Sequence, residues 1–429
     1  NSWILGDSYQ INKSLLSKEL MQVYSRDYVS SWKQLLASIS IKQYKNTTNA
    51  ESGLMAAGDI ASPLLTLLTS VSQSTRLVGS ELTDNALSVA NKNNKVARAS
   101  NRLDNVSLDS PELFITRQFS KLHELMSKNR KLLIQQRLAG LTSQLSLSLS
   151  MIGNGDENSD EQLNKLRAFA YSQPEPLKVW LEQLTNSVNA VVNLGHKIQI
   201  AKIWQDDIFP QCIEIVSDKY PFDKSSDRNA SLSELADLFS SNGAINQFFE
   251  ANIKNLANTS VRPWRWNKGV KDAYQFDNKV LSFFERAYNI RRGLFPSGGA
   301  TPRFKLNLKP IYLDSKVAKF KMSIYGTQLS YQFGRPITSR ISWPPENTSS
   351  GASFSFVRRD GSEVSQSSSG IFGLFRLLDQ ASINTVSRSK VEVTFSKETY
   401  KSIYELTGEG RTDPLLIPKL AQFSCLTAL

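Results

Sequence analysis

Apolar residues recur at three- and four-residue steps through residues 1–290 and at two-residue steps beyond residue 303. The first period belongs to helices that bury one stripe, the second to strands that bury one face. The chain is therefore read as α+β and multidomain: a mostly helical N-terminal region, then an antiparallel β-sandwich with one inserted helix. Leu15, Leu16, Leu20, Val23, Tyr24 and Tyr28 mark an amphipathic helix. Ser110-Pro111-Glu112 reads as a helix start, with Leu113, Phe114, Phe119, Leu122 and Met126 on one face. Leu177, Trp180, Leu181 and Leu184 repeat the stripe after Pro176. Ser231 and Glu234 form a capping box ahead of Leu235, Leu238 and Phe239, and Gly243 ends that helix. Ile245, Phe248, Phe249, Ile253 and Leu256 continue on the next. Residues 45–53 and 153–161 are polar and read as loops. Residues 144–150 alternate Leu and Ser, as a strand would, within a helical neighbourhood.

The period changes at a turn-rich junction containing Gly293, Pro296, Gly298, Gly299 and Pro302. Beyond it, alternation runs through Phe304, Leu306 and Leu308, through Val317, Phe320, Met322 and Ile324, and through Leu329, Tyr331 and Phe333. Phe354, Phe356, Val391, Val393 and Phe395 extend it, and a helix over about Gly370 to Gln380 interrupts it. The expected domains are 1–160 and 161–295, both helical, and 303–429, the β-sandwich. No repeat of fixed period occurs.

At 429 residues the chain exceeds one typical core, and 40% hydrophobic residues suffice to build several. No apolar run approaches the roughly 20 residues that cross a bilayer. The first 20 residues lack the marks of a signal peptide, and Asn1 is not an initiator, so the chain is read as part of something longer. The formal charge of +12 suggests anionic partners or simple solubility. Residues 301–429 carry roughly +7 of it. No block of five like charges occurs, which speaks against a nucleic-acid tail; Arg291-Arg292 and Arg358-Arg359 are pairs.

Little here points to chemistry. His123 lies among Leu122, Leu125 and Met126 on a helical stripe, the setting of a packed histidine. His196 has no second ligand near it, so no metal is expected. Neither a nucleophile elbow nor a phosphate-cradling loop is present, so no cofactor is expected. Asp206 and Asp207 are adjacent, and on a helix they point about 100° apart, so they do not converge as a glycosidase pair would. The chain is read as not an enzyme. Cys212 and Cys425 sit in no Cys-x-x-Cys pair, and counts alone leave a disulfide and two buried thiols equally open. The Asn-x-Ser/Thr triplets at Asn46, Asn105, Asn229, Asn258 and Asn347 are expected by chance in an Asn- and Ser-rich chain.

The order of several motifs nevertheless resembles the C-terminal periplasmic region of the IcmF/TssM family, inner-membrane proteins of bacterial type VI secretion systems. Tyr24, Tyr28 and Trp32 before Leu35-Leu36, then Ser62-Pro63-Leu64, then Phe119 with Leu122-His123, then Pro176-Leu177 with Trp180-Leu181, follow the family's order. The most specific block runs from Cys212 through Lys219-Tyr220-Pro221-Phe222-Asp223 to Trp264-Arg265-Trp266, with Lys219 where the family commonly has Arg. Trp343-Pro344-Pro345 resembles a Trp-Pro-Gly turn. Gly373 to Asp379 resembles a Trp-Ala-Leu-Phe-Arg-Leu-Leu-Asp helix, from which Gly373 departs. Phe423-Ser424-Cys425-Leu426 is similar to a Phe-Arg-Cys-Pro ending. Most of these residues are expected to fill cores.

The resemblance implies a structural role in a protein anchored in the inner membrane by segments absent from this chain, with an NTPase-like cytoplasmic domain elsewhere. It implies a periplasmic location, binding of the outer-membrane lipoprotein TssJ, assembly with TssL, and self-association into a ring or pillar through which the contractile tail tube passes. On a β scaffold, loops carry recognition, so the candidate contact residues are Trp343, Pro344, Pro345 and Asn347 in one turn and Arg358, Arg359 and Asp360 in another. It further implies a Cys212–Cys425 disulfide, because both cysteines match family positions and the periplasm is oxidising. A type IV secretion relative, or a basic module binding envelope surfaces, are the alternatives.

Overall fold

The computed structural model describes residues 12–78, 110–151, 158–296, 298–347, 349–410 and 412–429. By compactness the chain forms two units, residues 1–196 and 197–429.

In the first unit, helices span Lys13–Ser38 (α1), Thr47–Gly58 (α2), Pro63–Thr75 (α3), Pro111–Gln118 (α4), Ser120–Leu125 (α5), Lys128–Ser150 (α6), Asn158–Tyr171 (α7) and Leu177–Ile203 (α8), the last running into the second unit. Two loop expectations are corrected. Asn46 accepts from the Asn49 N–H and starts α2 at Thr47, so residues 47–53 are helical despite their polarity. Residues 158–161 form the first turn of α7, where Asp160 and Glu161 favour the helix dipole; residues 153–157 and the triplet at Asn105 lie outside the described residues. The Leu/Ser alternation at 144–150 belongs to α6. Leu145 and Leu149 are buried one turn apart and Leu147 points out, so the helical period selects the buried leucines. Thr47–Thr75 is, by length and composition, apolar enough to cross a membrane, which the run-length reading missed. It is two helices, broken at residues 59–62, with Leu54, Leu65, Leu68 and Val71 in the unit's core.

The second unit begins with a helical part. After a π-turn at Trp204–Ile208 come α9 (Phe209–Val216), α10 (Leu232–Phe239) and α11 (Ala244–Phe248). A second π-turn, Phe249–Ile253, leads to a two-strand ribbon, β1 (Ala257–Asn258) and β2 (Arg265–Trp266), then α12 (Val270–Tyr274) and α13 (Asn278–Leu294). The capping box closes at both ends: the Glu234 N–H donates to the Ser231 hydroxyl, and the Ser231 N–H to the Glu234 carboxylate. The π-turns shift the buried stripe locally, and each presents a large ring inward, Trp204 and Phe249.

The sandwich follows. One sheet has strand order β6-β3-β11-β10-β9 and the other β5-β4-β7-β8, with neighbouring strands antiparallel. The strands are β3 (Phe304–Leu313), β4 (Val317–Ile324), β5 (Thr327–Tyr331), β6 (Ser339–Trp343), β7 (Ala352–Arg358), β8 (Glu363–Ser368), β9 (Ser382–Ser387), β10 (Lys390–Lys397) and β11 (Tyr400–Gly408). Phe320 of β4 meets Phe395 and Tyr404 of the facing sheet at ring distances of 6.2 and 5.6 Å, so the core lies between the sheets. The inserted helix is α14 (Gly373–Asp379), and a further short helix, α15 (Leu416–Ala421), follows the last strand.

Candidate partner-binding surface

The strand register gives the sandwich two ends. Phe304 pairs with Trp343, and Ile324 with Ala352, so the start of β3 and the loops after β4, β6 and β8 share one end with α14. Leu313 pairs with Ser402 and Val317 with Arg358, so the β3–β4, β5–β6, β7–β8 and β10–β11 loops share the other.

The α14 end is bound to the helical part. The Tyr220 hydroxyl donates to Asp379 at 2.7 Å, and Lys224 pairs with the same carboxylate at 2.7 Å. The Arg376 guanidinium lies 3.9 Å from the Tyr220 ring centroid and donates to Ser226 O and Asn229 Oδ1 at 3.0 Å each. Burial, then the bond to Asp379, push the Tyr220 hydroxyl far above its ordinary pKa, so it stays a donor. Trp343 stacks on Phe304 at 5.1 Å and donates its indole N–H to Ile371 O at 2.8 Å, with Phe372 and Phe375 around it. Gly373 is required here: an added Cβ would sit 2.6 Å from Ala352 N and 2.5 Å from Ser368 O, both backbone atoms.

The chain's last residues are fastened to the same helical part. Cys212 and Cys425 are joined, with Cα atoms 6.0 Å apart. Phe423 packs on Phe239 and Phe283 at 4.9 and 5.3 Å. Trp204 donates to Leu426 O at 2.8 Å, and Gln205 donates to Thr427 O.

The candidate contact residues therefore fall into two places. Trp343 is only 1% exposed and is a core residue, because its ring is the floor under α14. Pro344, Pro345 and Asn347 follow it at the α14 end, with Asn347 tied to Ser349. Arg358, Arg359 and Asp360 lie at the far end of β7, roughly 20 Å away at about 3.3 Å per residue. One small site does not contain both turns. At the far end, Arg358 pairs with Glu398 at 2.9 Å, Arg359 donates to Ser315 O at 3.0 Å, and Asp360 accepts from Ser362. These bonds brace three loops against one another. Hydrogen bonds from Ser362 hold the Asp360 carboxyl below the usual carboxylate range, so it stays charged.

The braced end also shows exposed apolar side chains, and one of them corrects an expectation: the alternation puts Phe333 on a half-buried strand, but β5 ends at Tyr331 and Phe333 lies in the loop beyond it. Ile311 has no partner in the β3–β11 register, and beyond this bulge Tyr312 turns outward; both are about 40% exposed. Phe333 and Ile337, in the β5–β6 loop, are 53% and 75% exposed, and Phe333 takes a positive φ of 58°. The detectable signal was two apolar residues in the turn-rich run Phe333-Gly334-Arg335-Pro336-Ile337. Among the described residues no group of three or more His, Cys, Asp or Glu side chains is placed to hold a metal. Asp206 and Asp207 are both exposed on the first π-turn.

Family models match along the chain in order. Residues 1–76 match an IcmF-related model described as intracellular multiplication and human macrophage-killing. Residues 197–300 match the type VI secretion protein IcmF helical domain, and residues 306–410 its C2-like domain. The chain belongs to the IcmF/TssM family. It is 24% identical over 407 residues to the type VI secretion system component TssM1 of Pseudomonas aeruginosa, which covers 89% of this chain and 37% of that relative. The fold is similar to a chain of a type VI secretion system membrane core complex, with a TM-score of 0.70 and 18% identity over 96% of this chain and 84% of that one. A chain of a type VI membrane complex matches with a TM-score of 0.64 and 18% identity over 97% and 86%. Within the IcmF frame, Tyr220 belongs to the helical domain and Asp379 to the C2-like domain, so their hydrogen bond and the Arg376–Tyr220 stack join the two. The most specific family-like block, from Cys212 to Trp266, supplies Tyr220, and the Gly373–Asp379 stretch supplies Arg376 and Asp379, so the two meet at this junction.

Proposed function

We propose that this chain is the periplasmic, structural part of a type VI secretion trans-envelope complex, and that the far loop end of its sandwich docks the outer-membrane lipoprotein TssJ. The supporting observation is the collinear set of IcmF domains over a fold shared with membrane-complex chains. The Cys212–Cys425 bond agrees with an oxidising compartment. In this reading the helical segments, expected over 1–160 and 161–295, contact TssL and further copies of the chain, and the role is scaffolding and gating without catalysis. The lipoprotein contact is assigned to the far end because the α14 end is occupied by the helical part. The far end offers a braced frame with Tyr312, Phe333 and Ile337 exposed beside Arg335 and Arg359.

The test measures binding of purified, soluble TssJ to the full chain by biolayer interferometry. Phe333→Ser together with Ile337→Ser is expected to weaken affinity at least tenfold, since exposed apolar anchors dominate such interfaces. Asn347→Ala is expected to leave it unchanged. Unchanged affinity in the double variant, or loss only with Asn347→Ala, rejects the assignment. Binding that vanishes in moderate salt favours a basic surface-binding module instead.

A further inference from the structure

The helical part of the second unit contains a cleft of about 100 Å³ between α10, α11 with its π-turn, the β1–β2 ribbon and α13. Its interior is apolar, with Leu238, Phe249 and Phe284. Trp264 lines it, is 6% exposed and stacks on Phe249 at 5.1 Å, yet its indole N–H meets no acceptor within the protein. A buried donor without an acceptor is costly, so the site favours an occupant that brings an oxygen.

The charges at the mouth are unequal. Glu285 is used up by Arg262 at 3.3 Å and by the Trp264 backbone N–H at 3.0 Å, and Glu250 by Lys254. Arg291 and Arg292 make no ion pair among the described residues. They lie 5.2 and 5.7 Å from the Tyr288 ring, which Arg262 also approaches at 5.3 Å. The rim thus carries an uncompensated positive charge beside an apolar hole. We propose that this cleft binds the carboxyl end of a peptide chain whose last residue is apolar. The side chain fills the hole, the carboxylate meets Arg291, and an oxygen of the terminus accepts from the Trp264 indole. The hole is small: a closed cavity of about 150 Å³ holds one benzene, so this cleft has room for a single aliphatic side chain.

The test uses indole N–H resonances of the full chain, with Trp264 assigned through Trp264→Phe. Two probes share one apolar group: N-acetyl-leucine, which has the carboxylate, and N-acetyl-leucinamide, which lacks it. The acid is expected to shift the Trp264 resonance saturably and to bind about fivefold more tightly than the amide, the size of one partly exposed charge pair. Arg291→Gln is expected to abolish that preference while the remaining indole resonances stay in place, which reports an intact fold. Equal binding of both probes, or no saturable shift at Trp264 with either, overturns the proposal.

Discussion

Replacing both Cys212 and Cys425 by Ala is expected to lower the unfolding free energy of the second unit without releasing the chain's tail. The bond closes a loop spanning 213 residues. In the chain-entropy account, opening such a loop frees the unfolded chain by roughly 5 kcal/mol. The folded state loses little, because other contacts hold the tail. Leu416, Ile417, Leu420 and Phe423 are buried, Trp204 and Gln205 bond to Leu426 and Thr427, and the Phe423 ring sits between Phe239 and Phe283. With a denaturant slope of about 2–3 kcal/mol per molar urea, the midpoint should fall by about 2 M. Urea titrations of oxidised wild type and the double variant, followed by tryptophan fluorescence, measure this. Amide exchange should show residues 416–423 still protected in the variant. Alkylation of both cysteines in the unfolded, unreduced wild type refutes the bond, and an unshifted midpoint refutes the reasoning about its loop.

Three further outcomes are expected. Tyr220→Phe should destabilise the second unit by about 1–2 kcal/mol, measured by urea unfolding, because Asp379 keeps Lys224 but loses a buried donor. Gly373→Ala should cost more than Gly→Ala in an open helix, where it is stabilising, since its Cβ meets the backbone at Ala352 and Ser368; a raised melting temperature would contradict the close approach. Burial, then the nearby Arg76, lower the pKa of His123 to about 4, while the unfolded chain titrates near 6.5. The unfolded state then binds a proton the folded state refuses, so stability falls as pH drops from about 6.5 to about 4 and this loss levels off below. The full effect is at most roughly 3 kcal/mol. His123→Gln should flatten it, and an NMR titration of His123 near 6.5 would count against it.

The helical and sheet regions were legible because their signals are local. The Ser231–Glu234 box, the Ser110-Pro111 start and the alternation in β3, β4 and β10 need only neighbours a few residues away. The failures were local too. Asn46 as a cap outweighed the polarity of residues 47–53, and the Leu/Ser run at 144–150 satisfied two periods at once until packing chose one. Of the candidate contact residues, Trp343 went to the core because an indole beside a strand end fills space under α14, a fact no spacing reveals.

Residues in sequence thus determined where helix gives way to strand and which family the chain joins. Tertiary structure alone decided that Tyr220 meets Asp379, 159 residues away, that residues 344–347 and 358–360 part to opposite ends of one strand, and that a bulge at Ile311 turns Tyr312 outward. The physical reason is range. Periodicity and capping are set by side chains within one or two turns, whereas which loops share an end depends on strand order, and strand order is fixed only when the two sheets bury Phe320, Phe395 and Tyr404 together.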